Sequence, residues 1–291
     1  MFWLTFMGAV ICARTDSVMG KLNGKKGLSP ISFNRYKTFF AAVIAAIVCL
    51  FEGFLFNGQT LLYAFFYGVF LTAANYFGVR AITEGHMGVV SMIGSFSLIV
   101  PCAYGLIFLD EKLSIFGIIG LILVFISIAL LSYKKQSGAL SVRCLVFSFI
   151  TLIANGACSV LQKMQQTAQP NSFRAEFTLF SSVVAFLVFM VMRNANGKKE
   201  QTPTASDGTA ALFNKNTALF GTLSGLFNGA SGLLVLTLAA SQNASVLFPL
   251  LSVANSVVAV VVGRVVFKEK LTVLQMISVA IGIVSVVLLK I

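Results

Sequence analysis

The sequence predicts an all-α membrane protein of ten transmembrane helices, built as two inverted five-helix repeats. Three observations carry that prediction. Apolar runs of membrane-spanning length recur along all 291 residues, a charged turn is written twice at matching positions, and the basic loops change places between the halves.

The apolar runs rest on composition. The chain is 58% hydrophobic and 10% charged, with 28 phenylalanines and a mean hydropathy of +0.93. Soluble domains average about 45–50% apolar and about 25% charged residues, so this chain is too oily to be one. Runs of roughly 18 or more apolar residues mark helices that cross lipid. Hydrocarbon offers no water to backbone groups, so a spanning segment must satisfy them itself, and the alternating strands of a barrel are not visible.

The expected spans are 1–20, 33–52, 60–82, 86–108, 114–133, 140–162, 174–192, 217–240, 244–267 and 272–290. At about 1.5 Å per residue, most are long enough for a hydrocarbon core of about 30 Å. The first 13 residues lack a basic leader and a small-residue cleavage site, so they read as span one and not as a signal peptide. The polar stretch 193–216 is a surface loop between spans seven and eight. A short basic link, Lys134-Lys135-Gln136-Ser137-Gly138, sets the division into repeats at 1–136 and 137–291.

The repeats align in one order. Glu111-Lys112-Leu113 before span five recurs as Glu269-Lys270-Leu271 before span ten, each followed by a hydroxyl residue, Ser114 or Thr272. DSVMGKL (16–22) matches CSVLQKM (158–164), which sets Lys21 against Lys163, and SFNRYKTFFAAV (32–43) matches SFRAEFTLFSSV (172–183). An odd number of spans per repeat forces the second copy to enter the membrane upside down.

Charge agrees with that inversion. Basic residues gather at the loops after spans one (Lys21, Lys25, Lys26, Arg35, Lys37), three (Arg80) and five (Lys134, Lys135, Arg143), and after seven (Arg193, Lys198, Lys199, Lys215) and nine (Arg264, Lys268, Lys270). They thin out at the loops between, where Lys112, Lys163 and Arg174 stand. Orientation in the membrane therefore accounts for the +12 net charge, and nucleic acid is not an expected partner. Positive-inside alone puts the odd-numbered loops in the cytoplasm and both termini outside.

These features together resemble the drug/metabolite transporter superfamily, in its ten-helix EamA-type branch. The likeness rests on Lys21, Arg35, Ala81, Pro101, the Glu111-Lys112-Leu113 turn with Gly117 and Gly120, and on Lys163, Ala239, Pro249, Glu269-Lys270-Leu271 and Gly282 in the second copy. Two positions depart from strict repetition, since Ala175 stands opposite Arg35 and Ser91 opposite Pro249. The resemblance implies a secondary transporter with a central cavity and alternating access, and both termini cytoplasmic, the reverse of the charge count. It names no substrate, because the family spans amino acids, sugars, nucleotides, cationic drugs and lipid-linked precursors.

A polar side chain within lipid is costly and tends to face the bundle interior, so it is a site candidate by default. Arg14 and Asp16 in span one point to different helix sides and need separate partners, unless span one ends early and both are interfacial. Asn75 and Tyr76 (span three), Asn155 (span six), Asn228 (span eight) and Asn255 (span nine) offer donors and acceptors without buried charge. Interhelical hydrogen bonding is the plainer role for each of them, as packing is for Ser91, Ser95 and Ser97. Gly221, Gly225 and Gly229 form two GxxxG steps, a seam for close helix approach. Pro101 and Pro249 remove a helix hydrogen bond and kink their spans. Glu111 and Glu269 read as turn residues, with a gating role as the alternative.

No catalytic constellation appears: His86 is the one histidine, and there is no nucleophile motif, phosphate loop or close carboxylate pair. The five cysteines are scattered without metal or disulfide spacing, so no metal or cofactor is expected. The expectation is a multi-pass carrier of the plasma or inner membrane, monomer or homodimer, whose partners are a small organic solute and membrane lipid. A flippase for a lipid-linked headgroup and a non-transporting membrane receptor are the alternatives.

Overall fold

The computed structural model describes residues 2–25, 30–84, 90, 93–132, 142–196, 215–265 and 273–289. They form ten α-helices: α1 (Phe2–Lys25), α2 (Pro30–Glu52), α3 (Gly58–Glu84), α4 (Ile99–Phe108), α5 (Ile115–Ser132), α6 (Val142–Ala168), α7 (Arg174–Asn196), α8 (Lys215–Ser241), α9 (Ala244–Val265) and α10 (Val273–Leu288). They correspond one for one to the ten expected spans, and no strand occurs among the described residues. By length and composition α2, α3, α6, α7 and α8 can cross a membrane. The helices Ile93–Phe108, Ile115–Leu130, Ala244–Val258 and Met276–Leu288 are apolar but shorter. Glu269 and Thr272 lie outside the described residues, as do Ser91 and most of the 193–216 loop.

Local chemistry sets the helix ends. Asn57 caps α3, its Oδ1 accepting the N–H groups of Gln59 (2.9 Å) and Thr60 (3.1 Å). Ser114 caps α5 through its Oγ, which accepts the Gly117 N–H at 3.0 Å. Glu176 in the first turn of α7 and Arg193 in its last complement the helix dipole. After α2 the chain reverses at Gly53 with φ +86°, a left-handed conformation that glycine adopts without strain.

The chain divides into two compact units, each drawing on both halves of the sequence. One comprises residues 1–72 and 165–237, the other 73–164 and 238–291. In the first, α2 packs along α7, and Ala64, Phe177 and Leu236 form a buried core ringed by Tyr63, Tyr67 and Phe180. Gly68 brings α3 against the α7 backbone, since a Cβ there would stand 2.6 Å from the Ser181 carbonyl oxygen.

In the second unit, α5 packs along α10 and α4 along α9. The Ser127 hydroxyl donates to the Ser278 carbonyl at 2.7 Å, while Gly120 abuts Ser285, whose carbonyl oxygen would lie 3.1 Å from an added Cβ. A shift of 158 residues, the offset between the two Glu-Lys-Leu turns, carries Gly120 to Ser278 and Ser127 to Ser285. The two contacts therefore exchange with each other, as a two-fold relation between matched helices requires.

The two prolines fall at different places in their helices. Pro101 is buried in the first turn of α4, just after a 3-10 turn at Phe96–Leu98. Pro249 lies inside α9 and cannot donate to the Ser245 carbonyl one turn back. The buried Cys102 thiol points at that freed carbonyl from 3.9 Å, a weak replacement. Cys49, Cys144 and Cys158 are buried as well, consistent with cysteines serving as small hydrophobes.

Candidate functional site

Within the first unit, polar side chains from α1, α2 and α8 converge on one carboxylate. Asp16 Oδ2 accepts from the Lys37 ammonium at 2.7 Å and from the Asn228 amide at 3.1 Å, and Oδ1 accepts from the Ser224 hydroxyl. The Asp16 and Lys37 side chains are each only 13% exposed, and Ser224 is fully buried. Burying an ion pair is affordable only when its remaining hydrogen-bonding capacity is met, which Ser224 and Asn228 do for the carboxylate.

The sequence of α8 explains why these groups meet. Gly221, Gly225 and Gly229 recur every fourth residue and line one helix face. A Cβ on Gly225 would collide with the Lys37 carbonyl oxygen, one on Gly221 would stand 2.5 Å from Tyr36 Cβ, and one on Gly229 3.1 Å from the Ala41 carbonyl oxygen. The expected glycine seam is therefore the contact of α8 with α2, backbone against backbone. Ser224, Asn228 and Ser231 follow at i, i+4 and i+7 on the neighbouring face, toward α1, where Ser231 Oγ donates to the Ala9 carbonyl at 3.2 Å. One stripe brings α2 close, and the other equips α8 to hold Asp16.

Of the residues singled out in the sequence, Asp16 and Asn228 are brought into direct contact. α1 continues through Lys25, so Arg14 and Asp16 lie inside the helix, and Arg14 is half-buried. Asn75, Tyr76, Asn155 and Asn255 belong to the second unit. There Arg80 stacks on the Tyr76 ring at 5.6 Å and donates to its hydroxyl at 3.3 Å, while Asn75, Asn155 and Asn255 are half-buried on α3, α6 and α9.

Two members of the site escaped the sequence reading. By sequence position Lys37 groups with the loop charges, but α2 begins at Pro30, which puts Lys37 two turns inside the helix with its charge engaged by Asp16. Ser224 had a signal available, since it precedes Asn228 by one helical turn on a shared face.

The second unit holds another charged cluster. Glu111 accepts the N–H groups of Ala244 (2.7 Å) and Ser245 (2.8 Å) and the Ser245 hydroxyl (2.7 Å), which caps the first turn of α9. Glu111 thus caps a helix that lies in the other half of the sequence. Lys163, noted in the sequence only as a span-end residue, is buried and donates to the carbonyls of Ala239 (3.0 Å) and Gln242 (2.6 Å).

Residues 1–133 match the EamA-like transporter family. That match covers a little under half of the chain. With five helices long and apolar enough to cross a membrane among the described residues, the chain has the make-up of a multi-pass membrane protein. The matched family is one of transporters. No curated protein matches the chain in sequence. Among solved structures 28 chains match. One crystal structure aligns with a TM-score of 0.70 at 12% identity, over 98% of this chain and 94% of its own. At that identity the likeness shows the fold alone.

Proposed function

We propose that the protein is a secondary transporter of the plasma or inner membrane that moves a small organic solute by alternating access. The Asp16 cluster is its solute site in this reading, and one observation supports it above the others. A charged pair, 13% exposed on each side, sits on helices of a membrane transporter and is ringed by polar groups from a third helix. Charges inside membrane proteins are expensive and mark pathways for solutes or ions. Packing alone would be met at lower cost by apolar side chains of similar volume. Asn75, Asn155 and Asn255 extend the reading as neutral polar groups on membrane helices of the second unit.

The test is solute flux into vesicles reconstituted with purified protein, screened across metabolites and amphipathic compounds. Asp16→Asn, Lys37→Met and Asn228→Ala are expected to lower the flux of any transported solute at least about tenfold, a loss of about 1.4 kcal/mol in transition-state stabilisation. Unchanged flux in all three variants overturns the site. No flux of any solute over a broad panel overturns the carrier reading.

A further inference from the structure

We infer that the Asp16 carboxylate is a receptor for a primary ammonium group, filled in this state by the chain's own Lys37, and that the solute carries an ammonium group that takes the place of Lys37. The inference rests on the carrier reading above and specifies the chemistry of its ligand.

The parts of the site differ in their freedom to move. Ser224 and Asn228 both belong to α8, whose glycine seam is pressed against the α2 backbone at Phe33, Lys37 and Ala41. They hold the carboxylate through two hydrogen bonds from neutral donors that do not depend on Lys37. The Lys37 main chain is fixed as well, its carbonyl against Gly225. What remains mobile is the Lys37 side chain, an ammonium on four rotatable methylenes. Withdrawing it uncovers a carboxylate that is still hydrogen-bonded and still in place, but no longer neutralised.

Neutralising that carboxylate takes a cation or a proton. A primary ammonium reproduces what Lys37 supplies, a compact charge with N–H donors able to approach an oxygen to 2.7 Å. A quaternary ammonium has no N–H donor, and its methyl groups hold the nitrogen farther away. A neutral solute leaves the charge uncovered. One-for-one exchange of ammonium groups keeps the Asp16 carboxylate paired throughout, and the internal lysine acts as a competitor that lowers the apparent affinity of every external amine.

The experiment is equilibrium binding by calorimetry to the full-length protein in lipid nanodiscs, with n-butylammonium and butyltrimethylammonium as probes. The buffer and its pH are the same for every variant and both probes. Wild type is expected to bind n-butylammonium, and Lys37→Met to bind it at least about tenfold tighter because the internal competitor is gone. Butyltrimethylammonium is expected to bind at least about tenfold more weakly than n-butylammonium to both, since it lacks the charged N–H donors. The double variant Asp16→Asn/Lys37→Met is expected to bind neither. Lys37→Met binding no tighter than wild type, or equal binding of the two probes, overturns the inference. If Lys37→Met does not fold, the double variant decides, since it buries no lone charge: n-butylammonium binding equal to wild type overturns the inference. These readings need no flux, so they stand or fall apart from the vesicle assay.

Discussion

Lys163 and Glu111 grip opposite poles of one helix junction. The Lys163 ammonium donates to the Ala239 and Gln242 carbonyls at the end of α8, and the Glu111 carboxylate accepts from the Ala244 and Ser245 N–H groups at the start of α9. The link between these helices is two residues long, Gln242 and Asn243. A C-terminus carries partial negative charge and an N-terminus partial positive charge, so each ion meets the pole that suits it. The backbone groups that helix ends leave orphaned are thereby satisfied by side chains from α6 and from the α4–α5 turn. Glu111 is itself aimed by backbone geometry. Asp110 turns the chain with φ +49°, the Glu111 N–H returns to the Gly105 carbonyl at 3.2 Å, and Gly105 has no Cβ to collide with the carboxylate.

Removing either grip is expected to destabilise the junction. Glu111→Ala leaves two N–H groups and a hydroxyl without their acceptor, at a cost of about 1–3 kcal/mol. Lys163→Met keeps the buried stem but abandons two carbonyls, at a similar cost. Both read out as lower melting temperatures of the detergent-solubilised protein. The double variant is expected to lose less than the sum of the singles, because the two groups serve one junction. Full additivity would show that each acts alone.

The glycine seam gives a prediction with an internal control. Gly225→Ala places a methyl into the Lys37 carbonyl and within 2.8 Å of Phe40 Cβ, both on α2. Backbone cannot yield as a flexible side chain does, so a loss of about 1–3 kcal/mol is expected. Gly232→Ala, on the same helix, meets nothing nearer than Thr178 Cγ2 at 3.8 Å and is expected to be neutral. Equal melting temperatures for the two variants would remove the seam as the reason α8 lies so close to α2.

The two-fold relation in the second unit is testable at its matched contacts. Ser127→Ala deletes the 2.7 Å hydrogen bond to Ser278, and interhelical bonds of this kind are worth about 0.6 kcal/mol in membrane proteins. Gly120→Ala crowds the Ser285 carbonyl and the Leu289 N–H, the latter 3.0 Å from an added Cβ. Both are expected to lower stability, with Gly120→Ala the more damaging because its obstacles are backbone.

The helices were legible because lipid leaves so few solutions for a backbone. Asp16 was legible as a costly charge, and Asn228 as a polar group on an apolar helix. Lys37 was not. A lysine near a span end has two fates, a headgroup contact or a partner inside the protein, and one-dimensional sequence gives both the same pattern. The choice depended on where α2 begins, at Pro30 and not three residues later. Glu111 shows the same limit from the other side. Its turn was readable from spacing, but its real partners, Ala244 and Ser245, stand 133 and 134 residues away and follow from packing of the second unit.

The Asp16–Lys37 pair carries the sharpest prediction, because stability and transport are expected to part company there. Asp16→Asn leaves a buried ammonium without its anion, and Lys37→Met leaves a buried carboxylate without its cation. Breaking such a pair from one side costs about 3–5 kcal/mol, while replacing both partners by neutral groups is often close to neutral. Each single variant is therefore expected to melt well below wild type, and Asp16→Asn/Lys37→Met to recover most of the loss. Flux is expected to stay low in the double variant even so, because the charges that would meet a solute are gone. Ser224→Ala and Asn228→Ala each remove one hydrogen bond to a carboxylate that keeps its ion pair, for about 1.5–3 kcal/mol. A double variant that regains full flux along with its stability would make the pair a packing feature and move the solute site elsewhere.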